Sequence, residues 1–554
     1  NPGCTALADT MKPCGPVVDD RAAARIRATI AATLWTARLE RAWPALAPVF
    51  AASSYLSGLA RRDPARLDAL LADEPRARLE AIIARTVAAA DLDLETARVR
   101  LRELKAELHL LTALADLGGV WDLDQVTGAL TRFADAAVAS ALTVAARGEL
   151  EAGRLTRLGA GAEGPVPGWF CIAMGKQGAF ELNYSSDIDV SVFFDPDRMP
   201  LAPGVEPEAF AVRLTQRLSE LMQARTADGY VFRMDLRLRP DPSSTQAAVP
   251  IPAALDYYES VGQNWERAAF IKARACAGDL AAAQAFLDEL LPFVWRKNLD
   301  FAAIADIHSI KRQIHAHKVD ERVSAKGVDL KLGRGGIREI EFFVQTQQLI
   351  AGGRNADLRG RRTLDMLAAL ADGGWIDAAA RDDMTAAYVH LRMIEHCLQM
   401  VADAQTHTLP TDAAELATVA RMAGYDGADE FGAALLATLT TVRDRYAALF
   451  EAAPTLAAGS GSLVFTGDTD DPDTIETLTR LGYAHPSDVI RVVRGWHFGR
   501  YPATRSATAR ERLNDFVPLL IESLARRETP DAIFAAFDRF LARMPAGVQL
   551  FSIL

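Results

Sequence analysis

What this sequence has little of narrows its class before any motif is considered. Its five cysteines, Cys4, Cys14, Cys171, Cys276 and Cys397, are scattered, odd in number and without paired metal-ligand spacing. That argues against a disulfide framework or a zinc site and points to reduced thiols in a cytoplasmic protein. No uninterrupted apolar run reaches the roughly 18 residues of a membrane-spanning helix. Asn1-Pro2-Gly3 opens no apolar signal region, so no membrane partner is expected. Long low-complexity tracts are missing, and with 24% of residues charged and 50% hydrophobic the chain reads as folded throughout. Positive charge is also scarce: the formal net charge is −11 and the pI about 5.5. A partner with a phosphate backbone usually meets a basic face, so nucleic acid is not expected, although a local basic pocket stays open. The histidines form no His-Glu-x-x-His pattern, and His308, His315 and His317 read as surface or structural residues.

The length of 554 residues exceeds one ordinary core and implies several domains. Residues 1–155 carry a helical period, with Ala, Leu and Arg dominant. On one such helix Glu95, Arg98, Arg102 and Lys105 share a face, which reads as solvated surface or else a partner contact. The Gly- and Pro-rich stretch from Gly159 to Gly168 marks a domain entry. Residues 156–290 then change texture. Trp169–Ala173, Asp187–Phe194 and Tyr230–Leu238 read as strands, and Pro207–Ala224 as a helix between the second and third. Helical periodicity returns over 291–455, where Leu391, Ile394, Leu398 and Val401 fall on one face. After Gly459-Ser460-Gly461-Ser462, residues 456–554 read as a helical connector. The missing initiator Met and the apolar last residues read as a fragment at both ends. The expected class is mainly α with one α+β domain.

The chemistry concentrates in Gly175-Lys176-Gln177-Gly178-Ala179-Phe180-Glu181-Leu182-Asn183-Tyr184-Ser185-Ser186-Asp187-Ile188-Asp189. Alternation along a strand puts Asp187, Asp189 and Ser191 on one face and Ile188, Val190, Val192 and Phe194 on the other. Neighbouring carboxylates repel unless a cation sits between them, and hard oxygen donors suit magnesium. In the third strand Arg233, Asp235, Arg237 and Arg239 share a face, so Asp235 is a candidate third ligand or base and the arginines candidate phosphate clamps. The rival reading is an antiparallel sheet whose Arg and Asp residues pair on a solvated face. A second Asp-x-Asp, Asp468-Thr469-Asp470, precedes Asp471-Pro472-Asp473 and reads as a turn and helix start.

Gly175 through Asp189 resembles the signature of DNA polymerase beta-like nucleotidyltransferases, a Gly-containing turn followed by Asp-x-Asp. The fuller wording is similar to the bifunctional glutamine synthetase adenylyltransferase/adenylyl-removing family. So are Phe232-Arg233-Met234-Asp235-Leu236-Arg237-Leu238-Arg239-Pro240-Asp241, Gly262-Gln263-Asn264-Trp265-Glu266-Arg267, the segment Lys331 to Phe342, Gln405-Thr406-His407-Thr408-Leu409-Pro410 and Gly495-Trp496-His497-Phe498-Gly499-Arg500. One departure is Ala179, where the family usually has a second Gly; its Cβ is tolerable only at negative φ.

The resemblance implies a nucleotidyltransferase fold flanked by helical domains, matching the N-terminal, adenylyl-removing half and part of the centre. A C-terminal adenylylating half would then be missing. It also implies phosphorolysis of AMP from a tyrosine of glutamine synthetase, with phosphate entering and ADP leaving, and regulation by PII signal protein and glutamine. Asp187, Asp189 and Asp235 would hold one or two Mg2+ ions and carry the catalysis. Gly175, Lys176, Ser185, Ser186, Arg233, Arg237 and Arg239 would contact nucleotide or phosphate, although helix capping or turn formation serves Ser185 equally well. The glycine-rich Lys331–Gly336 segment reads either as a phosphate seat at a helix N-terminus or as a plain turn. Glu341, Gln345 and Gln348 share a helix face that could line a cleft, as could Trp265-Glu266-Arg267. Rival functions are another nucleotidyl transfer, such as that of a protein uridylyltransferase or an RNA-modifying enzyme, and a non-catalytic regulatory scaffold.

Overall fold

The computed structural model describes residues 5–296 and 325–450, together with 463, 465, 470, 472–497, 500–504 and 507–544. The His308, His315 and His317 stretch, the Gly459–Ser462 link, Asp468, Phe498 and Gly499 lie outside these. The protein is 63% helical with one small mixed sheet, so it is mainly α with one α+β unit.

The sheet comprises β1 (Trp169–Ala173), β2 (Ile188–Phe194), β3 (Met234–Asp235), β4 (Ala248–Pro250) and β5 (Arg274–Gly278). β1 lies antiparallel between β2 and β5, while β3 and β4 both pair with β2 in parallel. Period-2 alternation sorts the side chains into two cores. Trp169, Cys171, Ala173, Ile188, Val190, Val192 and Phe194 enter a core that runs from Leu7 to Tyr446. Phe170, Ile172, Met174 and Phe193 enter a second core, built with helices from Ile251 to Val294. Helices cover both faces, as a short apolar sheet requires. The face of β2 opposite Ile188 is therefore largely interior. Ser191 is buried and donates to the Leu238 carbonyl, and Phe193 is core, so only the start of β2 remains available for chemistry.

The third strand is also shorter than its alternation suggests, two residues rather than Tyr230–Leu238. The reason is local: the Asp235 carboxylate accepts the Arg237 backbone N–H at 2.9 Å, taking a donor that a ladder would have used. β4 resumes pairing along β2 beyond that point. β5, with its small residues Ala275, Ala277 and Gly278, has no strand-like composition and was not expected.

Helix Leu123–Glu151 begins with a capping box between Asp122 and Gln125. By length and composition it could span a membrane, but 72% of its apolar window is buried inside the protein. It packs against β5 and helix Pro207–Gln223. Helix Leu94–Leu117 carries the charged face noted above. Glu95 and Arg98 stay near solvent, whereas Arg102 is 1% and Lys105 4% exposed. The solvated reading fails for these two because the Arg102 guanidinium donates to the carbonyls of Leu221, Ala224 and Gly229, closing the C-terminal end of helix Pro207–Gln223. Residues 463–544 have their own core around Trp496, Ile490 and Leu513. There Asp470 pairs with Arg494 at 3.2 Å and a helix runs over Pro472–Arg480, while the turn expected at 468–471 falls mostly on residues outside those described.

Candidate active site

The site forms where β1 turns back towards β2. Gly175 has φ +51, and a Cβ there would lie 2.5 Å from Asp189 Oδ2, so only glycine lets the turn pass beneath that carboxylate. Gly178 is equally constrained, because a Cβ would meet the Lys272 carbonyl oxygen at 2.0 Å. Ala179 has φ −85, which its Cβ tolerates, and the left-handed residue is instead Phe180 at φ +59. The tight turn is therefore kept without a second glycine at 179.

Parallel pairing sets Asp189 directly opposite Asp235. Both Asp235 and Asp187 act electrostatically on Asp189. Burial and these two neighbours push the Asp189 carboxyl up to about 6, against the opposing charge of Lys331 and Lys176. Asp187 accepts from Arg233 Nε at 2.7 Å and from Gln405 Nε2 at 2.9 Å. Asp235 is bound by Arg237, and those hydrogen bonds outweigh its burial and hold its carboxyl below the usual range. As arranged, two of the three carboxylates face guanidinium groups, and the described residues contain no group of three His, Cys, Asp or Glu placed to hold a metal. The donor set itself is three carboxylates with hard oxygens at one sheet end, and among the described residues no hydrogen bond reaches the Asp189 carboxylate.

The other expected contacts separate into two groups. Arg233, Arg237 and Ser186 stay partly accessible beside the carboxylates. Lys176 instead pairs with the buried Glu395 at 3.2 Å, and burial lowers its ammonium to about 8. Glu395 is held ionised, pulled to about 2 against its burial by Lys176 and Arg392. Ser185 is buried; its N–H donates to Gln399 Oε1, and its carbonyl receives Arg233. Arg239 closes the turn that follows by donating to the carbonyls of Leu236, Pro242 and Thr245.

A second buried group fastens this turn to the helices behind it. Lys272 bridges Glu181 at 2.9 Å and Glu341 at 3.2 Å, while Arg392 donates to the Glu181 carbonyl and to Asn183 Oδ1. Glu341 therefore serves the bridge, and Gln348 holds the carbonyls of Leu358 and Gly360. Glu266 caps its own helix and Arg267 holds the Phe293 and Val294 carbonyls, so both pack rather than line a cleft. The Lys331–Gly336 segment is a self-satisfied turn. Asp329 accepts the N–H groups of Lys331 and Leu332, Glu339 accepts that of Gly335, and Gly335 abuts the Leu439 backbone. Its contribution to the site is the Lys331 charge. Sequence reasoning did not single out Lys331 or Gln405 as individual site residues: Lys331 lay in the segment read as a phosphate seat or a plain turn, and Gln405 in a motif noted only for its family likeness.

The sheet end thus sets a glycine turn beneath two carboxylates that face each other across paired strands. Residues 43–289 match the family model described as glutamate-ammonia ligase adenylyltransferase, and residues 308–451 the one described as GlnD PII-uridylyltransferase. Both models describe nucleotidyl-transferring enzymes. Over 550 residues it is 57% identical to a bifunctional glutamine synthetase adenylyltransferase/adenylyl-removing enzyme of Caulobacter vibrioides, covering 99% of this chain and 56% of the relative. Similar relatives of the same name come from Mesorhizobium japonicum, 53% identical over 517 residues (92% of this chain, 52% of the relative), and Brucella melitensis, 50% over 512 residues (92% and 52%). Over nearly its whole length the chain is similar to the bifunctional glutamine synthetase adenylyltransferase/adenylyl-removing enzymes. It spans about half the length of the curated relatives it matches.

Proposed function

We propose that this chain removes AMP from an adenylylated tyrosine of glutamine synthetase by magnesium-dependent phosphorolysis. The observation that carries the reading is the register of Asp189 opposite Asp235 at the sheet end that Gly175 closes. We read the sheet and its turn as a DNA polymerase beta-like nucleotidyltransferase fold, with residues 156–290 as the catalytic unit between helical regions 1–155 and 291–455 and a connector over 456–554. An oxygen of inorganic phosphate bonds to the adenylyl phosphorus as the bond from that phosphorus to the tyrosine oxygen breaks. The products are ADP and the free tyrosine, which takes up a proton.

Asp187, Asp189 and Asp235 are the residues that would hold one or two magnesium ions, which when bound supply positive charge between the attacking and leaving oxygens. Asp189 fits that role because its carboxyl is raised by like charges that a cation would offset. Arg233 and Arg237, exchanged from Asp187 and Asp235, are placed to take phosphate oxygens in their planar forks. Lys331 adds positive charge on the same side, and Ser186 offers a hydroxyl. Lys176, Ser185 and Arg239 act by holding the turn and the loop in place.

In the longer protein this site would be paired with ATP-dependent adenylylation, with PII signal protein and glutamine as regulators of a cytoplasmic control of nitrogen assimilation. The match over 308–451 lies outside the residues that bear the three carboxylates, so it does not favour uridylyl transfer at this site. The test is incubation of the chain with adenylylated glutamine synthetase, magnesium and phosphate. ADP release is expected from the wild type and not from an Asp187→Asn plus Asp189→Asn variant. No release by the wild type, or equal release by both, sinks the reading.

A further inference from the structure

A second cavity, of about 300 Å³, lies where helix Ser54–Arg62, helix Leu94–Leu117, the Thr226–Tyr230 turn and Asp403 meet. Its walls include Tyr55, Arg62, Arg102, Lys105, Tyr230 and Asp403. The Lys105 ammonium is almost fully buried yet makes no hydrogen bond or ion pair with the described residues. Its close partner is the face of the Tyr230 ring, 3.6 Å from the centroid. Burial lowers that ammonium to about 8, opposed by the Asp403 charge. On the same cavity Asp403 Oδ1 is buried without a hydrogen-bond partner, its other oxygen accepting from Tyr230 OH at 3.1 Å. Asp403 also sits at φ +49, a conformation that a non-glycine residue holds only when its surroundings enforce it. Desolvated donors and acceptors without partners are costly, and here one of each sign faces one cavity.

We infer that this cavity is a binding site for a small molecule that carries an anionic group for Lys105 and a hydrogen-bond donor for Asp403. A carboxylate or a phosphate with an amino or hydroxyl group nearby has that chemistry. The occupant would sit close to the candidate active site. Tyr230 OH accepts from Arg233 Nη1 at 2.9 Å, and Arg233 Nε in turn holds Asp187. Gln405, two residues beyond Asp403, holds the other Asp187 oxygen. Both hydrogen-bond partners of Asp187 are therefore tied to the cavity wall. The inference concerns binding alone and does not rest on the proposed reaction.

The test is calorimetric titration and thermal melting of the 554-residue chain with inorganic phosphate, acetate, and two- to five-carbon acids bearing an amino or hydroxyl group. At least one of these probes is expected to bind and raise the melting temperature, and the identity of the binder separates a carboxylate from a free phosphate. Lys105→Met keeps the apolar stem and removes the charge, so it should weaken that binding at least tenfold without lowering the melting temperature of the free protein. Asp403→Asn should weaken binding of the donor-bearing probe more than that of phosphate or acetate. No binding by any probe, or equal binding to the wild type and Lys105→Met, overturns the inference. So does a Lys105→Met chain that melts well below the wild type, which would make Lys105 a structural cation.

Discussion

Replacing Gly175 by alanine should damage the site through two separable effects, and a second glycine measures one of them alone. At φ +51 an alanine carries the left-handed cost of about 1–2 kcal/mol. Its Cβ would also stand 2.5 Å from Asp189 Oδ2, a separation that real contacts do not sustain, so the carboxylate must swing away from its place opposite Asp235. Gly119 has φ +67 with nothing within 4 Å of its would-be Cβ, so Gly119→Ala pays the backbone cost only. Both variants should lose a few degrees of melting temperature, at roughly 2–4 °C per kcal/mol for units of this size. Only Gly175→Ala should also lose manganese binding, measured calorimetrically, and ADP release, by at least tenfold. If Gly175→Ala kept both properties at the level of Gly119→Ala, the placement of Asp189 under that turn would be refuted.

Lys272→Met should cost about 3–5 kcal/mol in chemical denaturation, because it strands the Glu181 and Glu341 carboxylates in the interior. Adding Glu341→Gln should recover part of that loss, and full additivity of the two changes would argue against the bridge. Stability should also fall in acid through Glu395. Its carboxyl is lowered from 4.5 to about 2, so its contribution is complete above pH 4.5 and is lost as pH falls towards 2. The denaturation midpoint of Glu395→Gln should therefore be lower than that of the wild type at pH 7 and flatter between pH 5 and 3, and parallel curves would count against the ionised, doubly bonded Glu395.

Much of the site was readable because strand alternation is a local rule. Ile188, Val190, Val192 and Phe194 went to one core as their spacing demands, and the turn, β1, β2 and helix Pro207–Gln223 fell within a residue or two of expectation. What stayed hidden depends on distant partners. Nothing near Lys176 in the sequence announces Glu395, 219 residues later, and an amphipathic helix pattern cannot tell that Arg102 closes a neighbouring helix end and that Lys105 lies over the Tyr230 ring. The shortening of β3 follows from a single side chain, Asp235, competing with the ladder for the Arg237 N–H. β5 escaped notice because small residues carry no strand signature.

One apolar core joins Leu7, the sheet and Tyr446, and the Glu181–Lys272–Glu341 bridge crosses it. The carboxylate turn is thus not a cassette that inheritance can shuffle by itself. Losing the Glu181 carboxylate would leave Lys272 with Glu341 alone, and a chimaera that swaps only residues 156–290 would take Glu181 and Lys272 from one parent and Glu341 from the other. A recombination point beyond Tyr446 leaves that bridge whole, because the described helices between 472 and 541 keep a core of their own.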